Sequence, residues 1–375
     1  MRILIIQPGI GSYRVDFLNA LAKKAELKVI YFYDHSSGQT FTNSPVDQLI
    51  DCKVEKLDGG FDLRGYYPIR PGIRKAIEEF APDVVVSHEY NTITLQVWLC
   101  HRLAKKRWKL FIWTSDSAQM ALACRGLRRL ARDFFCKRAD AVMVYSDPVA
   151  EAYRKVTTLP PEKITVCTNI QSATKLRSNA QIALPLAQEI YKKLKLESKK
   201  VFLFIGRLSP VKNLPMLFRA FAVAAPSDAI LLIVGSGELE TELEQLRGDL
   251  KMESRIVMCG RAEGLNLSAY YNLAETLVLP SLSEPFGAVV NEALAVGLRV
   301  ILTEIAGAKV LITSNLQGRL INPQSQKSLE SAIEAEAREM APSFPSTLRT
   351  NLLTCDLPEC VDNFMDFCNR SLSES

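Results

Sequence analysis

Histidine is scarce in this chain: three in 375 residues (His35, His88 and His101), none at metal-ligand spacing from another. The nine cysteines are odd in number and scattered, and no C-x-x-C occurs, which argues against both a disulfide framework and a cysteine zinc site. No Asp lies two residues from another Asp, so the simplest acidic clamp for a metal–diphosphate complex is missing. No uncharged apolar run reaches the roughly 18 residues a membrane-crossing helix needs. The early apolar stretch from Ile3 to Ile6 is too short for the core of a signal peptide. Glycine and proline, 18 of each, are not in the excess that marks collagen or low-complexity chains. With 48% apolar and 23% charged residues the chain is not disordered. The expectation is a cytosolic globular protein of two domains, at roughly 100–200 residues each.

What is present is uneven charge and a repeated element order. Residues 1–178 carry 27 Lys and Arg against 18 Asp and Glu, whereas 179–375 carry 19 against 23. The basic excess is concentrated in 102–138, with eleven basic and two acidic residues. Short apolar segments at 2–7, 27–33, 52–57, 83–87, 109–114, 140–145 and 163–168 read as buried strands, with helical patterns between several of them. A polar stretch with no strong period, 171–200, reads as the junction. A second series follows at 201–206, 229–235, 255–260, 276–280, 299–303 and 319–321. Strands alternating with helices predict parallel β-α-β units, so the fold class is α/β, with two doubly wound Rossmann-like sheets facing a cleft. The expected division is 1–175, 176–350, and a terminal stretch 351–375 whose amphipathic part, 357–372, forms a helix returning towards the first domain.

The richest motif is Ser283-Glu284-Pro285-Phe286-Gly287-Ala288-Val289-Val290-Asn291-Glu292-Ala293, which has two glutamates with seven residues between them. The first falls in a loop after a strand and the second in the next helix. Pro285 and Gly287 suit a sharp strand-to-helix turn. A helix start offers free N–H groups to phosphate or sugar oxygens. A carboxylate accepts two hydrogen bonds at once and so suits a vicinal diol, which lets one glutamate hold a sugar and the other a ribose. Upstream, Gly206-Arg207-Leu208-Ser209-Pro210-Val211-Lys212-Asn213 closes the first strand of the second series.

These two segments resemble the retaining glycosyltransferases of GT-B fold known as glycosyltransferase family four. The resemblance spans about 2–323 and is specific in 201–300. It implies a sugar moved from a nucleoside diphosphate to a hydroxyl acceptor, such as a glycan or lipid-linked glycan, with retention of configuration. Arg207 and Lys212 would hold the diphosphate, which fixed cations stabilise as it departs, without a metal or other cofactor. Glu284 would orient the donor sugar and Glu292 the ribose, and Phe286, Gly287, Ala288 and Val289 would line the donor site. Gly235, Gly237, Gly260 and Arg261 fall in loops that border the nucleotide in that family. Ile305-Ala306-Gly307-Ala308 departs from the commoner Gly-Gly-x-x-Glu. In the first half, His88 ends a strand and would reach the donor sugar or a diphosphate oxygen. Gly9-Ile10-Gly11-Ser12-Tyr13-Arg14 supplies a close backbone approach at Gly11 and an acceptor side at Tyr13 and Arg14.

Other readings stay open from the residues. Gly9 and Gly11 with Asp34 half-match a dinucleotide fingerprint, although Arg14 replaces its third glycine; an NAD(P)-type oxidoreductase would use them. A non-catalytic sugar-nucleotide-binding partner protein and a sugar-nucleotide epimerase of the same fold are further alternatives. Leu127, Leu130, Ala131, Phe134 and Phe135 form a helical stripe expected to pack on the sheet. Arg125, Arg128, Arg129, Arg132, Lys137 and Arg138 would leave a basic face for reversible contact with anionic lipid at the inner face of a membrane. Nucleic acid is not an expected partner, because no aromatic residues alternate with the charges. Trp98, Trp108 and Trp113 are expected in the core.

Overall fold

A computed structural model of the chain describes residues 1–34, 48–49, 52–63, 67–104, 107–341, 344 and 347–373. His35, Lys105 and Lys106 lie outside the described residues. The chain forms two units, one of residues 1–171 with 356–375 and one of 172–355.

In the first unit, β1 (Arg2–Ile6) precedes α1 (Val15–Ala22), β2 (Glu26–Tyr31), β3 (Lys53–Lys56), β4 (Phe61–Leu63), β5 (Tyr67–Ile69), α2 (Gly72–Phe80), β6 (Val84–His88), α3 (Thr92–Leu103), β7 (Lys109–Trp113), α4 (Ala118–Ala123), α5 (Gly126–Cys136), β8 (Ala141–Val144), α6 (Asp147–Val156) and β9 (Ile164–Val166). Seven strands form a parallel sheet in the order β3-β2-β1-β6-β7-β8-β9. The central strands are runs of Ile, Val and Leu because helices cover both faces, and Ile3, Leu4, Val84, Val85 and Phe111 have no exposed surface. The antiparallel pair β4–β5, absent from the sequence reading, is held by Arg70, whose Nη2 donates to Asp62 Oδ1 at 2.8 Å.

The second unit runs α7 (Ala173–Ile182), α8 (Leu184–Lys193), β10 (Lys200–Ile205), α9 (Leu214–Ala224), β11 (Ala229–Val234), α10 (Glu240–Asp249), β12 (Ile256–Gly260), α11 (Gly264–Leu273), β13 (Thr276–Leu279), α12 (Ala288–Ala295), β14 (Arg299–Thr303), β15 (Gly318–Ile321) and α13 (Gln326–Glu339). Its six parallel strands take the order β12-β11-β10-β13-β14-β15. In both sheets the strand order reverses beside the first strand, at β1/β6 and at β10/β13, and such a switch point opens a crevice at the strands' carboxyl ends. The two-sheet α/β class expected from the sequence is the class observed. The last helix, α14 (Leu357–Ser373), belongs to the first unit: Phe364 meets Phe17 at 5.9 Å between ring centroids, and Phe367 meets Phe111 at 5.4 Å.

Two segments differ from the sequence reading. Residues 173–193, read as an aperiodic junction, are two helices of the second unit. Their apolar period is faint because the buried contacts are small, at Ala180 and Ala187. Arg177 anchors them by donating to the carbonyls of Ala295 and Arg349 at 3.0 and 2.9 Å. In α5 the expected stripe is buried only in its second half: Phe135 is in the core with Ala131 and Phe134 packed beside it, but Leu127 is 81% and Leu130 67% exposed, while Arg132 is buried at 2%. The cause is Arg132, whose Nη1 donates to Ala121 O at 2.7 Å and so satisfies a carbonyl near the end of α4. Phe135 and Cys136 then supply the core contact. Of the tryptophans, Trp108 and Trp113 are buried and Trp98 is half-buried.

Candidate active site

The second unit's switch point is built from two loops. The loop after β10 turns at Gly206 and carries Arg207, which is exposed. Lys212 ends a single 3-10 turn, Pro210–Lys212, stopped by Asn213 in the left-handed conformation (φ +57°). Asn213 ties this loop to its neighbours by donating to Pro280 O at 3.3 Å and Pro323 O at 3.0 Å. The loop after β13 carries Glu284, only 8% exposed. Lys212 Nζ lies 2.5 Å from Glu284 Oε2, and Ser281 donates its hydroxyl to the same oxygen at 3.3 Å. Two residues 72 positions apart, singled out separately in the sequence, are therefore one ion pair.

Gly287 enters α12 at φ +98°, where a side chain would strain the backbone and meet Leu279 and Glu284. Phe286 is buried, and Ala288 and Val289 form the half-buried first turn. Glu292 lies further along the helix and accepts the Tyr271 hydroxyl at 2.7 Å. Burial first, and then the Glu292 charge, push the Tyr271 phenol well above its ordinary value, so it stays a donor.

The glycines beside these loops are there for space. A Cβ on Gly235 would fall 1.9 Å from Gly206 O, and one on Gly237 would fall 2.4 Å from Leu208 O, so both press on the Arg207 loop. The 305–308 segment, which departs from the family pattern, braces Glu284 instead: Ala308 N donates to Phe286 O at 2.8 Å, and a Cβ on Gly307 would lie 2.2 Å from Pro285 O. Arg261 comes directly after Gly260, whose carbonyl accepts from Gly235 N at 2.8 Å. It follows the edge strand β12, is exposed, and donates from Nε to Glu263 Oε1 at 2.8 Å.

The first unit's switch point holds His88 and the 9–14 loop. Gly11 has φ −79°, so it is not needed for a left-handed turn; it leaves room for Tyr13, whose ring a Cβ would meet at 2.5 Å. Tyr13 is half-buried. Arg14, read from the sequence as an acceptor-side residue, is 3% exposed and faces inwards. Its guanidinium donates to Gln7 Oε1 (3.2 Å), His88 Nε2 (3.0 Å) and Tyr145 OH (2.5 Å), and lies 4.0 Å from the Trp113 ring centroid. Asp34, the expected ribose ligand of a dinucleotide, is paired with Lys56 at 2.7 Å. Beyond His88 the chain turns sharply at Glu89 (φ +66°), and Asn91 caps α3 by accepting from the N–H groups of Ile93 and Thr94. Sequence reasoning missed Glu89, Asp116 and Ser115. Ser115 N donates to Glu89 Oε1 at 2.6 Å, and Arg128 reaches Glu89 at 3.2 Å and buried Asp116 at 2.7 Å. Nothing in their spacing signals this cluster, because it joins three separate segments.

Comparison with known proteins matches both halves of the chain. The family model described as "Glycosyl transferases group 1" matches residues 187–337, and "Glycosyl transferase 4-like domain" matches 9–169. An uncharacterized glycosyltransferase of Methanocaldococcus jannaschii is 33% identical over 36% of this chain and 34% of its own length. A D-inositol 3-phosphate glycosyltransferase of Mycobacterium ulcerans is 25% identical over 67% of this chain and 57% of its own. The matches thus span between a third and three fifths of these relatives. Among solved structures, Anabaena HepE in complex with UDP and glucose has a TM-score of 0.71 at 17% identity, covering 100% of this chain and 98% of that one. Sucrose-phosphate synthase of Thermosynechococcus elongatus gives 0.70 at 19% identity, over 98% and 96%. The two matched models cover the loops of both switch points, and the chain belongs to the family-four-like glycosyltransferases of GT-B fold.

Proposed function

We propose that the chain transfers a sugar from a nucleoside-diphosphate sugar to a hydroxyl acceptor, a glycan or lipid-linked glycan, with retention of configuration and without a metal ion. The observation that carries this reading is the Lys212–Glu284 pair at the second sheet's switch point, with Arg207 exposed on the same loop as Lys212. A departing diphosphate develops negative charge, which Arg207 and Lys212 are placed to stabilise. As Lys212 turns to phosphate it releases Glu284, whose carboxylate then accepts hydrogen bonds from donor hydroxyls. Charge therefore exchanges partners on binding rather than being left unpaired. Glu292, held by Tyr271, serves the ribose. The leaving diphosphate assists the incoming hydroxyl on the same face of the sugar. His88 offers a ring N–H to a sugar or phosphate oxygen, and Tyr13 stands on the acceptor side. That HepE is solved with UDP and with UDP-glucose supports a nucleotide-sugar donor.

The test is calorimetric titration with UDP, GDP and ADP and their sugars, followed by release of nucleoside diphosphate with glycan acceptors in excess chelator. Binding of one nucleotide and chelator-resistant release are expected; loss of release on chelation, restored by magnesium, overturns the metal-free reading. The two glutamates should separate. Glu292→Ala should weaken free nucleotide binding. Glu284→Gln should leave it unchanged or tighter, since Lys212 loses its internal competitor, while turnover falls. The reverse pattern would reassign the two carboxylates.

The basic region supplies the partner surface. Arg132 is buried and Arg128, though 40% exposed, is paired with Asp116 and Glu89, while Arg125, Arg129, Lys137 and Arg138 are exposed. Beside them stand exposed Leu127 and Leu130 of α5 and Leu122 of the neighbouring α4. Exposed leucines among cations suit an anionic bilayer, at about 1 kcal/mol per charge near the surface and about 1.5–3 kcal/mol per fully buried leucine. Among the described residues no helix is long and apolar enough to cross a membrane. The protein should sediment with phosphatidylglycerol vesicles at low salt and be largely released at high salt. Leu127→Ser with Leu130→Ser should remove the salt-resistant remainder. A wild-type protein that ignores the vesicles at low salt would rule this surface out.

A further inference from the structure

Arg14 presents a buried cation whose hydrogen-bond partners are all neutral. The acceptors around it are an amide oxygen, a phenol and His88 Nε2, and its face lies on Trp113. A guanidinium has only donors, so the imidazole nitrogen 3.0 Å away must present its lone pair. In a neutral ring the proton then sits on Nδ1. Ser115 Oγ, 3.1 Å from the same Nε2, fits this arrangement but does not enforce it, because a hydroxyl can donate or accept. His88 Nδ1 is itself buried with no hydrogen-bond partner among the described residues, a donor without an acceptor.

We infer that Arg14 is a positioning residue: it locks His88 in the neutral tautomer whose one proton is on Nδ1, leaving that N–H for a substrate oxygen. The use of the N–H on substrate rests on the proposed function; the tautomer does not. The consequence is a histidine that is neither general acid nor switch. A second proton would have to sit on Nε2, facing the guanidinium, and burial followed by the Arg14 charge holds the ring well below its ordinary value. The other groups near the ring do not reverse this. Glu89, adjacent in the chain, is held by Ser115 N–H and Arg128. Asp116, from the loop after β7, is held by Arg128 and the Tyr153 hydroxyl. Tyr145, from the end of β8, accepts from Arg14, and Tyr13 flanks the guanidinium.

The test uses the free protein, so it does not depend on the donor's identity. Long-range proton–nitrogen correlation spectra of the ¹⁵N-histidine-labelled chain, assigned with His88→Asn, should show His88 protonated on Nδ1 and unchanged from about pH 5 to 8. In Arg14→Met a second population protonated on Nε2 should appear, and the ring should titrate inside that window. Tyr145→Phe, which removes a neighbouring hydrogen bond but keeps the Arg14–His88 contact, should retain the wild-type spectrum. A wild-type ring protonated on Nε2, or one titrating near 6.5, overturns the inference even if Arg14→Met does not fold. So does an Arg14→Met spectrum equal to the wild type, or a Tyr145→Phe spectrum as altered as that of Arg14→Met.

Discussion

Arg207→Ala and Lys212→Ala are each expected to lower turnover about 10²–10³-fold, the loss seen when one fixed donor to developing charge is removed. The two variants should differ in stability. Arg207 is exposed, so its removal should change unfolding free energy by no more than about 0.5 kcal/mol. Lys212 is the cation paired to Glu284, a carboxylate only 8% exposed. Without it, Ser281 is the remaining hydrogen-bond partner among the described residues, and an under-satisfied buried polar group costs about 1–3 kcal/mol. Adding Glu284→Gln to Lys212→Ala should restore stability without restoring turnover. Nucleoside-diphosphate release and urea unfolding read the two effects separately. Near-normal release by folded Arg207→Ala would remove the diphosphate clamp from the mechanism.

The contrast shows what a sequence can and cannot carry. The strands were legible because burial on both faces writes them as short runs of Ile, Val and Leu, and the two sheet orders then put loops 206–213 and 280–287 at one switch point and 9–14 and 88–91 at the other. Arg207, Lys212, Glu284 and Glu292 stood out in the sequence through their motifs and the family those motifs resemble. Their state was not legible there. That Lys212 is already bound to Glu284, or that Arg14 points at His88, depends on side-chain direction between residues 72 or 74 positions apart, and no local period records it. The outward position of Leu127 and Leu130 on α5 was hidden for the same reason. Leu127 and Leu130 have helical spacing, but Arg132 finds a backbone carbonyl in another helix and goes in beside Phe135, leaving the two leucines outside. In 173–193 the failure was one of signal size, since alanine contacts give a weak hydrophobic period. The lesson bears on function, because pairing and burial decide which charges are free to meet a ligand.

The largest expected effect on folding lies away from both switch points. Glu336 on α13 has no exposed surface, yet it accepts from Arg299 Nε and Nη2 of β14, at 2.6 and 2.9 Å, and from Arg319 Nε of β15, at 2.8 Å. It ties a helix to two neighbouring strands through both of its oxygens. Glu339, about half exposed, shares the same two arginines from the next turn. Breaking a buried pair from one side typically costs 3–5 kcal/mol. The arginines here are 23% and 27% exposed and keep Glu339, so Glu336→Ala should cost about 3 kcal/mol, the lower end of that range. Glu339→Ala should cost about 1 kcal/mol or less, as an exposed ion pair does. The choice of probe matters. All three tryptophans lie in 1–171, so their fluorescence reports the first unit and not the one that holds Glu336. Hydrogen exchange of the β14 and β15 amides reads the right unit directly: about 3 kcal/mol makes exchange roughly a hundredfold faster where it proceeds through unfolding of that unit. Glu336→Ala protection within threefold of wild type at β14 and β15 would mean that packing, rather than this bidentate pair, holds α13 to the sheet.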